Sequence, residues 1–174
     1  ALGDIIIAYP LDQMMNTPGF AEVIELLQSV DVVAANMEGN IIDGRSFKGS
    51  APGGFGAEPQ AAEWLKEMGI DIVARPNNHA NDFGIEGLIE TSQHLDRVGI
   101  QHAGYGDTYW AARAARFVSS SRGRVGMVAA SDHQPQAAPM SGEWPGRGGL
   151  SPLRVARQFM VPATDWASVQ TMRD

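Results

Sequence analysis

Arg75-Pro76-Asn77-Asn78-His79-Ala80-Asn81-Asp82-Phe83-Gly84 is the stretch on which the fold turns. An apolar run, residues 70–74, leads into it, and a helical pattern, residues 85–98, leads out of it. The stretch is therefore a strand-to-helix turn. It carries three amides (Asn77, Asn78, Asn81), an imidazole (His79) and a carboxylate (Asp82). An α/β sheet presents its functional groups at such turns, at the carboxyl ends of its strands. Asn, Asp and Gly also gather in turns for purely local reasons, since they cap helices and tolerate left-handed backbone. A turn has no use for an imidazole, so His79 is the residue that points to chemistry.

Upstream, residues 5–9 are apolar and mostly β-branched and stop at Pro10, which predicts a strand. Residues 12–16 read as loop. Residues 18–30 predict a helix, with Pro18 in its first turn and Phe20, Val23, Ile24 and Leu27 on one face. A second strand, residues 31–35, runs into Asn36-Met37-Glu38-Gly39. Residues 41–56 are glycine-rich and read as a long loop holding at most a short hairpin. A helix over 57–68 stops at Gly69.

Downstream, the helix over 85–98 stops at Gly99 and a short strand follows at 100–103. Asp107 is placed to cap a helix reaching Arg116. Residues 125–130 form a last apolar strand that ends at Ser131-Asp132-His133. Residues 134–152 are rich in Pro and Gly, and the tail has a helical pattern around Val155, Ala156 and Phe159. This alternation of strands and helices predicts an α/β fold with right-handed crossovers and a largely parallel sheet.

The 174 residues, 44% hydrophobic and 19% charged, suit one globular domain. A net charge of −7 with scattered cations gives no electrostatic case for nucleic acid. Without cysteine there is neither a disulfide nor a thiolate metal site. No apolar run is long enough for a membrane helix and no signal-peptide pattern is visible, so membrane association would need segments absent from this sequence.

Strand-associated turns carry hard-ligand groups at Gly3-Asp4, Asn36-Met37-Glu38 and Asn77-Asn78-His79, and Asp132-His133 ends the last strand. Parallel strands bring such turns to one sheet edge. Oxygen and imidazole donors suit Zn²⁺, Mn²⁺, Fe or Mg²⁺. Singly, Asp4 and Glu38 are ordinary loop acids; their shared placement carries the argument. Arg45 and Lys48 are either partners for an anionic substrate or solvated loop charges. Gly53-Gly54-Phe55-Gly56 lacks the Lys-Ser/Thr of a phosphate loop and reads as a flexible loop. Gly104-Tyr105-Gly106 reads as a tight turn, and His94 and His102 as surface or packing histidines.

Taken in order, these blocks resemble the CapA family, the bacterial capsule or poly-γ-glutamate synthesis proteins of the calcineurin-like metallophosphatase superfamily. The resemblance rests on Gly3-Asp4, Ala35-Asn36-Met37-Glu38-Gly39 and Asn77-Asn78-His79-Ala80-Asn81-Asp82-Phe83-Gly84. Gly99-Ile100 with Gly104-Tyr105-Gly106, and the strand from Arg124 to Ala129, extend it. It implies a metallophosphatase-like fold, part of an α/β/β/α sandwich, with one domain over residues 1–174 that is incomplete at its C-terminus. It implies Asp4, Glu38 and Asn78 as metal ligands and His79 as the catalytic imidazole, with Asn36, Asn77, Asp82, Asp132 and His133 lining the site. The implied cofactor is one or more divalent metal ions (Mn, Fe or Zn), and the implied partner is an anionic small molecule or polymer at the cell envelope. The implied activity is metal-dependent hydrolysis of a phosphate ester or γ-glutamyl-type amide; the alternative is a non-catalytic binding or assembly component for an anionic polymer. Two departures stand out. No histidine follows His133, where family members carry more, and Ala8-Tyr9-Pro10-Leu11 stands where they carry arginine-type residues.

Overall fold

The computed structural model describes residues 1–49, 53–132, 148–153, 155 and 160–171. Its centre is a parallel sheet of β1 (Asp4–Ile5), β2 (Ala34–Met37), β5 (Ile72–Ala74) and β6 (Gln101–Ala103), side by side in chain order. Successive right-handed crossovers that always step the same way leave their helices on one face. The register shows which face. Ile5, Met37, Ala35 and Val73 fall on one side, and all four join the main core. That core is completed by Phe20, Ile24 and Leu27 of α2 (Pro18–Gln28), by Ala61, Ala62, Trp64 and Leu65 of α3 (Gln60–Glu67), and by Leu95 of α4 (Gly84–Arg97). Asp4, Ala34, Asn36 and Ala74 fall on the other side and are half-buried or exposed, beside the fully buried Ile72 and Ala103. The fold is α/β and metallophosphatase-like, as the alternation and the resemblance predict.

α4 shows why its sequence is a helix here. Leu88, Thr91, Ser92 and Leu95 are buried at positions i, i+3, i+4 and i+7, one stripe of a 3.6-residue period. The two buried hydroxyls are not stranded. Thr91 Oγ1 donates to Gly87 O at 2.6 Å, and Ser92 Oγ donates to Leu88 O at 2.9 Å. Thr91 Oγ1 also accepts the Ile41 amide at 2.9 Å, which ties β3 (Asn40–Ile41) to the helix.

Several expectations need correction. Residues 12–16 are not simply loop: α1 (Asp12–Met15) is a helical turn, held where Trp64 Nε1 donates to Asp12 Oδ1 at 3.1 Å. The first strand is confined to its N-terminal end, because only there does a neighbour, β2, supply backbone partners. The segment 41–56 contains no hairpin among its described residues. Its ends, β3 and β4 (Gly56–Ala57), pair in parallel. Tyr105–Gly106 is a strand, β7, paired antiparallel with β10 (Gly149–Leu150), rather than a tight turn. Thr108, not Asp107, caps α5 (Tyr109–Arg113), accepting the Ala111 amide at 3.1 Å. Arg116 opens β8 (Arg116–Ser120), which forms an antiparallel hairpin with β9 (Gly123–Met127), so the last apolar strand stands outside the parallel sheet. The tail helix is α6 (Ala163–Thr171); Ala156 and Phe159 lie outside the described residues. No helix among the described residues is long and apolar enough to cross a membrane.

Candidate functional site

β1 and β2 pair so that Asp4 lies beside Asn36, on the side of the sheet away from the main core. Asn36 Nδ2 donates to Asp4 Oδ1 at 2.8 Å. Asn77, just past β5, donates through Nδ2 to Asn36 Oδ1 at 3.0 Å and to Met37 O at 2.8 Å. Its own Oδ1 accepts the His79 amide at 3.1 Å. A chain of amides thus links three strand ends, and Asn77 is its nearly buried hub. Asn40 supports it from below, its Nδ2 donating to Ala80 O at 3.0 Å.

Two carboxyl groups meet on this platform. Glu38, two residues beyond Asn36, shares a hydrogen bond with Asp4. That contact, with burial adding to it, raises the Glu38 carboxyl above its ordinary value. Hydrogen bonds from Asn36 and Glu38 hold Asp4 below its own. The Asn78 side chain and the His79 ring both act on the Glu38 carboxyl and favour its charged form. Asp4, Glu38, Asn78 and His79 are therefore neighbours. Two acids in contact gain from a cation between them, and two carboxylates with an amide oxygen are donors a hard divalent ion accepts. The donor set is chemically of the kind such an ion takes. It is also small: among the described residues no group of three or more His, Asp or Glu side chains is arranged to hold a metal.

His79 is fixed by its neighbours. Its Nδ1 lies 3.0 Å from Asp82 Oδ2. A carboxylate only accepts, so Nδ1 carries the proton and Nε2 is left for other work. Asp82 Oδ2 also accepts the Phe55 amide at 2.9 Å, and the Phe55 ring meets the imidazole edge-on at 4.5 Å between centroids. Gly54 has φ +150°, and a Cβ there would overlap the Asp82 carboxylate. The glycines read as marks of a flexible loop are what let this segment close on Asp82. Phe55 and Asn40 are site residues that the sequence reading missed. A lone aromatic between glycines was the available signal for Phe55; Asn40 had none.

The other sequence candidates separate. Asp132 is exposed, past a bridge between Ser131 and Pro152, and among the described residues it joins none of the contacts above. His133 lies outside the described residues. Arg45 and Lys48 are exposed.

The sequence matches the bacterial capsule synthesis proteins, PGA_cap, over residues 1–163. The chain belongs to that family. A Sinorhizobium fredii (strain NBRC 101917 / NGR234) protein designated y4sH is 40% identical across the whole of this PGA_cap chain, which matches 39% of the relative's length. A Mycobacterium tuberculosis "Probable polyglutamine synthesis accessory protein" is 32% identical over 64% of the chain and 30% of its own. The "Capsule biosynthesis protein CapA" of Bacillus anthracis is 22% identical over 91% of the chain and 40% of its own. The PGA_cap chain thus spans well under half the length of these curated relatives.

Proposed function

We propose that this chain carries part of a metal-dependent hydrolytic centre acting on an anionic phosphate ester or γ-glutamyl-type amide in capsule or poly-γ-glutamate synthesis. The observation that carries the proposal is the Asp4 carboxylate, held by Asn36 Nδ2 at 2.8 Å, beside Glu38, with the His79 imidazole fixed on Asp82 at 3.0 Å and acting on the same Glu38. Asp4, Glu38 and Asn78 would hold the ion, which when bound supplies positive charge and an acidified water. The chain's own part is orientation and proton movement. Asp82 fixes the His79 tautomer, so Nε2 is the atom that passes a proton to or from a leaving oxygen or nitrogen. Asn36 and Asn77 hold the carboxylate of Asp4 in place.

The test is equilibrium binding of Mn²⁺ and Zn²⁺, with elemental analysis after purification free of chelator. The expected result is saturable binding by the parent and a loss of about tenfold or more in Glu38→Gln. A parent that binds neither metal, or a Glu38→Gln variant that binds as well as the parent, overturns the proposal.

A second reading is a non-catalytic binding or assembly component for an anionic polymer. It is favoured by the small ligand set and by the word "accessory" in the name of the mycobacterial relative. Metal binding without turnover would select it.

A further inference from the structure

On the helix-covered side of the sheet, between α4, β6 and the start of β8, lies a cavity of about 320 Å³. It shares no residue with the cluster around Glu38. Its wall includes Ser92, Asp96, His102, Tyr105, Asp107 and Arg116. A smaller adjoining cavity of about 180 Å³ repeats Asp96, His102 and Arg116.

Behind that wall is Arg75, which is fully buried. Its Nη1 donates to Ser92 Oγ at 3.0 Å, and the Tyr105 ring centroid lies 5.9 Å from its Cζ. Its Nε and Nη2 have no hydrogen-bond partner. The groups that its charge acts on, Tyr105, Asp96 and His102, are all walls of the same cavity. His102 Nδ1 is likewise buried without a partner. Asp96 is the carboxylate whose charge answers that of Arg75. It already meets His102 Nε2 at 3.2 Å, and its side chain is 69% exposed, so water takes up most of its charge. A buried guanidinium with two unpartnered nitrogens, three N–H groups between them, is costly. Here that cost is concentrated behind one open cavity, and the half-buried Arg116 adds a second cation to its wall.

We propose that this cavity is a second binding site, for a compact oxyanion of the carboxylate or phosphate class, drawn in by Arg116 and by the field of Arg75. The positive field of a buried cation acts through low-dielectric wall rather than water, which is where an anion gains most from it. The rim acids Asp96 and Asp107 limit the ligand to one small enough to sit inside them. The proposal stands independently of the metal-centre reading.

The test is calorimetric titration of the whole, chelator-treated chain with inorganic phosphate and, separately, with acetate. Saturable binding of one ligand per chain is expected from at least one of them, and which one saturates identifies the class. Arg116→Gln and Arg75→Met should each weaken it about tenfold or more. Arg75→Met should not lower the thermal midpoint of the unliganded protein, because it removes an unpaired buried charge and keeps the volume; a structural arginine would behave oppositely. Should Arg75→Met fail to fold, Arg116→Gln on the cavity wall decides alone. Glu38→Gln should titrate like the parent. The absence of saturable heat with both anions overturns the proposal. So does binding that survives in Arg116→Gln, or binding lost in Glu38→Gln instead.

Discussion

At the scale of single residues, the cluster divides into groups that would touch a ligand and groups that place them. Asn78 belongs to the first kind. Asn78→Ala removes an oxygen donor, and metal affinity measured by calorimetry should fall, while the far-ultraviolet circular dichroism of α4 stays as it is. Equal affinity in the variant would make Asn78 a turn residue only. Gly54 belongs to the second kind. Gly54→Ala meets both a left-handed backbone and the Asp82 carboxylate. Destabilisation of about 1–3 kcal/mol is expected, seen as a lower denaturant midpoint with an unchanged slope. Of these residues, the Asn-Asn-His block was legible because an imidazole has no business in an ordinary turn. Asp4 was legible only jointly, since one acid near a chain start looks like any other. Phe55 was hidden because its contact with His79 comes from residues far apart in sequence.

At the scale of elements, long periodic segments were readable and short ones were not. The stripe Leu88, Thr91, Ser92, Leu95 announces α4 wherever it is placed. β3 and β4 are two residues each, and nothing in a two-residue strand has a period. Their pairing is secured instead by Thr91, which accepts the Ile41 amide, and by Asn40, which reaches both Ala80 and Thr91. Thr91→Val should therefore act on β3 as well as on α4. Leaving the buried Ile41 amide unmet costs about 1–3 kcal/mol, and hydrogen exchange at Ile41 should accelerate more than exchange at Leu95. Equal acceleration at both would show that the hydroxyl serves the helix alone. β8 went unread beyond Arg116, which the sequence reading places at a helix end, because Arg116 to Ser120 alternates between half-buried and exposed positions without a fully buried face.

At the scale of the whole molecule, charge and ligand count set the behaviour. Burial, with the Arg75 guanidinium adding to it, holds the His102 imidazole below its ordinary 6.5. The unfolded chain therefore takes up that proton before the folded one does. The associated stability is complete above 6.5 and is lost as the pH falls toward the folded value. Urea midpoints between about pH 7.5 and pH 5 should decline in the parent and decline less in His102→Gln, which keeps a donor for Asp96 but does not titrate. The carboxyls of Asp43 and Glu63, held below their ordinary 3.8 and 4.5, add their losses in a lower range. For activity, two carboxylates, an amide and an imidazole are few groups for a demanding hydrolysis. Weak or no turnover of an aryl phosphate is expected from these 174 residues even with Mn²⁺. Strong metal-dependent turnover, abolished in His79→Ala, would show that Asp132, His133 or another group completes the site.

The order of strands in the parallel sheet has a consequence for how the protein is made. β1, β2, β5 and β6 follow one another in space as they do in the chain, so each new strand is added to the same advancing edge. On a ribosome adding about 5–20 residues per second, β1 with Asp4, and β2 with Glu38 just beyond it, are made about 2–8 seconds before Asn77 and His79. Throughout that interval the far edge of β2 is a row of unpaired backbone groups, open to the wrong partner. Synonymous codons that slow translation between β2 and β5 should raise the aggregated fraction while leaving the stability of the purified protein untouched.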